Sequence, residues 1–180
     1  MPKIIPDIRE NILSSAKAQL MHGGFNGLSL RGVANDCGIA LGTSYHYFAS
    51  KTDLAHAVME MDWNQDIKFI NDVDPGKILP EKLITQLFLA ARKFLKQYDV
   101  LILTHRSYPD ILGVIDSRHE NMVREISISL KQIMHMYGLN EKDAFIDILA
   151  ECIFATASAD TNAEDFEAMM KIYLNNRKQK

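Results

Sequence analysis

Residues 29–51 read S-L-R-G-V-A-N-D-C-G-I-A-L-G-T-S-Y-H-Y-F-A-S-K, and this stretch decides the fold. Apolar residues at helical spacing predict a first short helix, which Ser29 caps at its start and Gly38 ends. A second short helix is expected from about Leu41 to Phe48, with Phe48 as its anchor in the core. Two helices joined by a short turn that contains Gly form a helix-turn-helix, whose second helix enters the major groove of DNA.

The second helix is predicted to expose hydrogen-bond donors beside small residues. Its outer positions are Gly42, Thr43, Tyr45, His46 and Tyr47. Hydroxyl and ring N–H groups are good donors to phosphate oxygens. Gly42 would let a phosphate or a base edge come close, and Lys51, next to the expected capping residue Ser50, would contact one more phosphate. Half-buried tyrosines that only pack are the alternative, but the turn, the spacing and the donor-rich face agree with one another.

A longer pattern surrounds this motif and is specific to one group of proteins. It consists of Gly24-Phe25, Ser29-Leu30-Arg31, Val33-Ala34, Cys37-Gly38-Ile39, Gly42-Thr43, Tyr45-His46-Tyr47-Phe48, Ser50-Lys51 and Leu54. The stretch resembles the DNA-binding domain of the TetR/AcrR family of bacterial transcription regulators. The resemblance covers roughly the first third of the chain.

The resemblance implies a set of DNA contacts. Operator backbone or bases would be touched by Thr43, Tyr45, His46, Tyr47 and Lys51, and base edges would lie closest to Ala40, Leu41 and Gly42. Ser29 and Arg31 complete the expected contacts. Two positions depart from the family's habit. Ser44 replaces a large apolar residue, which predicts a looser recognition helix, and Leu41 replaces a polar one, which favours an apolar contact with a thymine methyl group.

The charge of the chain is divided unevenly. The 180 residues carry a net charge of −3. Residues 1–51 hold five Lys/Arg against three Asp/Glu, or +2, whereas residues 52–180 hold fifteen against twenty, or −5. This asymmetry fits a DNA-facing end on an acidic body. The positive charge of residues 1–51 is small, so we expect weak non-specific affinity for DNA. Binding to DNA should therefore depend on two heads acting together.

Several classes of protein are disfavoured by the sequence. No apolar run approaches the ~18 residues that span a bilayer, and no signal peptide is evident, so a cytoplasmic protein is expected. Cys37 and Cys152 lie in apolar helical patterns and are expected to be small buried residues in a reducing compartment. No Gly-x-Ser-x-Gly is present and the histidines lack ligand spacing, so we expect no enzyme, metal or cofactor. A helical protein-interaction module that has lost DNA binding stays open as the alternative function.

The periodicity predicts an all-α chain of about nine helices, in which a three-helix helix-turn-helix head is followed by a helical ligand-binding and dimerisation body. The head takes residues 1–51, with its first helix ending at Gly23-Gly24, and a linking helix follows over 52–70. The body takes residues 71–180. Its expected elements are a helix over 81–98, a short helix and bend over 99–109, a long helix that Gly138 ends, a helix over 141–158 capped by Asn140, and a last helix over 164–175.

The body is expected to provide a partner surface and a pocket. Two amphipathic helices would pair with a second copy, as the resemblance also implies, through Phe145, Ile148, Leu149, Cys152, Ile153, Phe166, Met169, Met170 and Tyr173. A small apolar or aromatic effector would bind among Trp63, Phe88, Phe94, Tyr98, His105, Tyr108, His119 and Met122. For any single member of either set, ordinary core packing is the competing interpretation. The expected partners are therefore a double-stranded operator, a second copy and an effector.

Overall fold

The computed structural model describes residues 7–103, 109–159 and 161–177, and within these ranges the chain contains helices and no strand. Eight α-helices and one short 3-10 helix follow one another, as the all-α prediction requires. They are α1 (Ile8–Gly27), α2 (Leu30–Cys37), α3 (Leu41–Tyr47), α4 (Lys51–Asp66), the 3-10 helix (Lys68–Asp72), α5 (Pro80–Leu103), α6 (Pro109–Met136), α7 (Asp143–Ser158) and α8 (Ala163–Arg177). None of the helices in the described part of the chain is both long and apolar enough to cross a membrane.

The helix-turn-helix forms where the sequence predicts it. The Ser29 hydroxyl accepts a hydrogen bond from the backbone N–H of Gly32 at 2.9 Å and so caps α2. Gly38 ends α2 with a positive φ of 64°, a conformation that glycine adopts without steric cost. The Ser50 hydroxyl caps α4 in the same way by accepting from the N–H of Asp53 at 3.0 Å.

The first helix changes direction at Gly24. Its φ of 62° and ψ of −165° lie in a region that is essentially restricted to glycine. Helical turns continue on both sides, so the predicted break at Gly23-Gly24 is present but the helical segment extends to Gly27. Gly24 and Phe25 are buried at this break.

Three predicted boundaries differ from the structure. The linking helix ends at Asp66 and is followed by the separate 3-10 helix, whereas one helix to Ile70 was expected. Residues 99–103 belong to α5, which continues to Leu103 through a segment that holds neither Gly nor Pro, and not to the short helix predicted within 99–109. Residues 104–108, where the predicted bend falls, lie outside the described residues. Asn140 is not a cap either, because α7 begins at Asp143 and its N-cap, Lys142, makes no side-chain hydrogen bond.

The chain divides into two compact units, each with its own core. The first comprises the described residues of Met1–Asp62 and of Tyr98–Asp116, and the second those of Trp63–Gln97 and of Ser117–Lys180. Fully buried residues of the first unit include Ile12, Ala16, Val33, Leu54 and Val58, and those of the second include Ile84, Leu87, Phe88, Ile126 and Ile153. The predicted boundary at residue 51 stays a prediction, and by compactness α4 runs from one unit into the other.

The two thiols differ from the expectation that both are buried. Cys152 is exposed on α7, and Cys37 is only half-buried at the end of α2. Burial raises the pKa of the Cys37 thiol, and the neighbouring Asp36 carboxylate raises it further. The Cys37 thiolate is therefore disfavoured, whereas helical periodicity had assigned Cys152 to the wrong face.

Candidate DNA-binding surface

The first helix holds the helix-turn-helix at both ends of α2. The Gln19 side-chain oxygen accepts from the backbone N–H of Ser29 at 3.1 Å, beside the start of α2. The Gln19 amide donates to Asp36 at 2.8 Å, near the end of α2, and the Ser15 hydroxyl donates to the same carboxylate oxygen at 2.8 Å. These donors, Ser15 first, lower the pKa of Asp36. The two ends of α2 are thus fixed against one side chain of α1.

Gly32 allows Gln19 to lie across α2. A Cβ added at Gly32 would come within 2.8 Å of the Gln19 amide nitrogen and 2.9 Å of the Ser29 hydroxyl oxygen. The Ser29 hydroxyl caps the start of α2 and the Gln19 amide nitrogen donates to Asp36 near its end, so a larger residue at position 32 would displace both contacts. The glycine is costly for a helix interior in propensity alone, and close packing explains its presence.

The recognition helix α3 presents its aromatic residues to solvent. Tyr45 and Tyr47 are 53% and 41% exposed, and His46 is exposed between them. The rings of His46 and Tyr47 meet edge to face with their centroids 5.7 Å apart. The opposite side of the helix is held by Ser44 and Phe48, which are buried. A short helix with a buried inner side therefore carries the polar tips of three rings on its outer side.

The start of α3 is open to close approach. Ala40 and Gly42 are exposed, and Leu41 and Thr43 are half-buried. A Cβ added at Gly42 would meet no atom of the described chain within 4 Å, and its φ is not in the left-handed region. Neither packing nor backbone conformation requires glycine at this position, in contrast to Gly32.

Arg9, Arg31 and Lys51 are three of the five basic residues of the head. The Lys51 ammonium sits 4.4 Å from the centre of the Phe25 ring, and the Arg9 guanidinium sits 5.7 Å from the Phe48 ring. Cation–π contacts of this kind fix the side-chain stem and leave charge at the surface. Arg31 is exposed on α2. Ser29 is exposed too, but its hydroxyl already serves as the cap of α2.

Ser44 is a buried polar residue without compensation. Its side chain is fully buried, and its hydroxyl has no hydrogen-bond partner among the residues that the structure describes. An unpaired buried hydroxyl destabilises a fold because its hydration is lost without replacement. The departure noted in the sequence therefore lies on the inner side of α3, where it weakens the attachment of the recognition helix.

A buried carboxylate ties three helices of the first unit together. Asp62 of α4 is 7% exposed and accepts from Lys17 of α1 and from the Tyr98 hydroxyl of α5, both at 2.6 Å. Buried charges need such partners, since an uncompensated one is strongly destabilising. Sequence reasoning missed Lys17 and Asp62, as well as Gln19 and Asp36, because their partners are distant in the sequence and leave no local pattern.

The predicted effector residues are only partly brought together. The rings of Trp63 and Phe94 meet edge to face at 5.6 Å, whereas Phe88 stacks on Phe166 at 4.4 Å as part of the core. Tyr98 is bonded to Asp62 and Met122 is buried. His119 is exposed, lies 3.0 Å from Glu151 and lines an open groove along α6 and α7. His105 and Tyr108 lie outside the described residues.

The predicted partner surface separates into two groups. Leu149, Ile153, Phe166 and Met170 are buried within the chain itself, so a second copy cannot reach their side chains. These four residues belong to the core of the chain, and their prediction as partner-surface residues was wrong. Ile148, Cys152 and Met169 are exposed, and Ile172, which the prediction omitted, is 64% exposed. Phe145 and Tyr173 are half-buried and stack on each other at 5.0 Å.

Comparison with known proteins bears on the head first. Residues 12–58 match the sequence profile described as bacterial regulatory proteins, tetR family. The head of this chain is a TetR-family DNA-binding domain. The HTH-type transcriptional regulator UidR of Escherichia coli K12 is 35% identical over 54 residues, which are 30% of this chain and 28% of UidR. PksA of Bacillus subtilis, also an HTH-type transcriptional regulator, is 26% identical over 81 residues, 45% of this chain and 40% of PksA.

The body is compared through its fold alone. This chain matches less than half the length of these curated relatives of its TetR-family head. A solved structure described as the multidrug binding protein EbrR complexed with imidazole aligns over 93% of this chain and 89% of its own, with a TM-score of 0.55 and 18% identity. The described chain therefore resembles that structure in fold.

Proposed function

We propose that this chain is a transcriptional repressor that binds a palindromic operator as a homodimer and is released by a small effector. The observation that carries the proposal is the recognition helix, which exposes Tyr45, His46 and Tyr47 from a TetR-family head while Phe48 anchors it. Hydroxyl and ring donors at these positions suit phosphate oxygens, and Arg31 adds a charge that is not used in packing. The proposed location is the cytoplasm, where the operator would be.

Gly42 offers a test that separates folding from DNA binding. Gly42→Ala adds a methyl group that meets nothing in the described chain, so the helix should be stabilised by several tenths of a kcal/mol up to about 1 kcal/mol. In a complex the same methyl group would occupy space meant for DNA. If one backbone contact of about 1 kcal/mol is lost in each of two heads, operator affinity falls about 30-fold.

The matched control is Gly23→Ala. Gly23 is also exposed within a helix, and an added Cβ there also meets nothing within 4 Å. The operator is obtained first, by selecting genomic fragments on the purified wild-type protein, and each variant is then titrated against it. Equal affinity of Gly42→Ala and wild type would overturn the contact assignment. Enrichment of no palindrome by the wild type would instead favour the protein-interaction module.

The dimer is proposed to form through the exposed apolar residues of α7 and α8. Ile148 is 62% exposed and Ile172 64%, and Met169 lies beside Ile172 on the same exposed side of α8. An open groove of about 500 Å³ runs along α6 and α7, with Ile128 and Ile148 among its lining residues. Exposed apolar patches of this kind mark contact surfaces. One short helix reads only one half of a palindromic operator. Binding to both halves therefore needs two heads related by a two-fold axis.

Ile172→Glu tests this surface. A charge at the centre of an apolar contact should convert the dimer to a monomer, as measured by sedimentation at micromolar concentration. Leu89→Glu is the control. Leu89 is an exposed apolar residue of the same size as Ile172, but it lies on α5. A wild-type chain that sediments as a monomer, or a dimer that survives Ile172→Glu, would refute the assignment.

Effector release is proposed to act through α4. This helix begins at Lys51, carries Asp62 with its bonds to Lys17 and Tyr98, and ends at Asp66. A displacement of α4 would therefore be passed to α1, which holds α2. A coupling of about 1–3 kcal/mol is typical of such switches. The ligand named for EbrR, imidazole, supports a small ring compound as the class of effector.

A further inference from the structure

Trp63 is held rigidly in the second unit. Its ring meets Phe94 edge to face at 5.6 Å, and one turn later Asp66 of the same helix pairs with Lys93, the residue before Phe94. Two successive contacts therefore fix the end of α4 against α5. Because the ring is 2% exposed and held in this way, the direction of its N–H group is fixed as well.

This N–H group has no acceptor within the part of the chain that the structure describes. The indole nitrogen of Trp63 is buried, and no hydrogen-bond partner is present among the residues that the structure describes. Indole nitrogen only donates, and a buried tryptophan usually finds an acceptor for it. A buried donor left unpaired is an exception that needs an explanation, and a bound molecule that brings an acceptor supplies one.

We propose that Trp63 is the hydrogen-bond donor to the effector, which carries an uncharged acceptor on a flat apolar frame. This inference rests on the proposed release by an effector. The Trp63 ring lies against the Phe94 ring, and this aromatic surface suits the apolar frame of such an effector. The two acidic residues that flank Trp63 in α4 are each neutralised by a lysine, Asp62 by Lys17 and Asp66 by Lys93. A carbonyl oxygen or a ring nitrogen would complete the pairing, whereas a hydrocarbon of the same shape would leave the donor unpaired.

Quinoline and naphthalene test this directly, because they share one shape and differ by a single ring nitrogen. The chain holds one tryptophan, so the protein labelled with ¹⁵N gives a single indole N–H signal. We expect quinoline to move this signal downfield and to bind about tenfold more tightly than naphthalene, the ratio given by one ordinary hydrogen bond. In Trp63→Phe, which keeps an aromatic ring, the two compounds should bind equally.

Three results would overturn the proposal. They are equal binding of both compounds to the wild type, no binding of quinoline, and a bound water that stays in contact with the indole N–H when quinoline is present. The measurement uses no DNA. If it fails while Gly42→Ala still weakens operator binding, the repressor proposal stands and only the role of Trp63 is lost.

Discussion

Replacing serine by alanine at three positions of the first unit should change stability with opposite signs. Ser44→Ala removes a fully buried hydroxyl that has no partner in the described structure. Relief of an unpaired polar group is worth about 1–3 kcal/mol, and the higher helix propensity of alanine adds up to about 0.5 kcal/mol. The substitution also removes the packing contacts of one small atom, the hydroxyl oxygen, and this costs a fraction of a kcal/mol. We therefore expect a net stabilisation of about 1–2 kcal/mol.

Ser29→Ala and Ser14→Ala are the matched comparisons. Ser29 accepts from the Gly32 N–H, so its replacement removes the cap of α2 and should destabilise by about 1 kcal/mol. Ser14 is exposed on α1, and only the propensity gain of at most about 0.5 kcal/mol is expected. The same replacement of serine by alanine should thus change the free energy of unfolding by amounts that differ by about 2–3 kcal/mol across the three sites.

The assay is thermal unfolding followed by circular dichroism, together with amide hydrogen exchange of the head. For a chain of this size each kcal/mol moves the midpoint by about 2–4 °C. Slower exchange of α2 and α3 in Ser44→Ala would locate the gain in the head. A midpoint for Ser44→Ala at or below that of Ser14→Ala would refute the argument, since the buried hydroxyl would then have a partner or contribute to packing.

Three further outcomes are expected. Tyr98→Phe removes a hydrogen-bond donor from buried Asp62 and should lower the free energy of unfolding by about 1.5–3 kcal/mol in guanidinium titrations. An unchanged midpoint would mean that the bond contributes nothing to stability. The pKa of Asp36 is lowered in the folded state, so the stability that its carboxylate contributes is present above its ordinary pKa and is lost as the pH falls through the lower folded value. Gln19→Ala should make the loss of stability in acid less steep, as measured by thermal unfolding at a series of pH values. Lys51→Ala should reduce the slope of log affinity against log salt by about 2 for a dimer, and an identical slope would exclude a phosphate contact.

Local signals predicted the head well because its structure is locally determined. The hydroxyl of Ser29 and the positive φ of Gly38 act within one helical turn, so residue type and spacing were enough to place α2. The exposure of Tyr45 and Tyr47 likewise follows from the anchor at Phe48.

The body was harder to predict because periodicity alone does not say what covers an apolar face. In α7, Ile148 and Leu149 are adjacent in the sequence, yet one is exposed and the other buried. Both satisfy helical spacing, and only the packing of α6 and α8 decides between them. The missed cap of α7 has a similar cause. Asn140 is a good capping residue, but it lies two positions before the actual N-cap, Lys142.

The carboxylate of Asp62 also restricts the order in which sequence changes can accumulate. While the acid is present, loss of Lys17 leaves a buried charge with one donor fewer, and loss of the Tyr98 hydroxyl does the same from the other side. If Asp62 first becomes an uncharged residue, neither neighbour is needed any longer to compensate a buried charge. Divergence of this junction, in evolution or in a redesigned regulator, should therefore start at position 62 and spread outward from there.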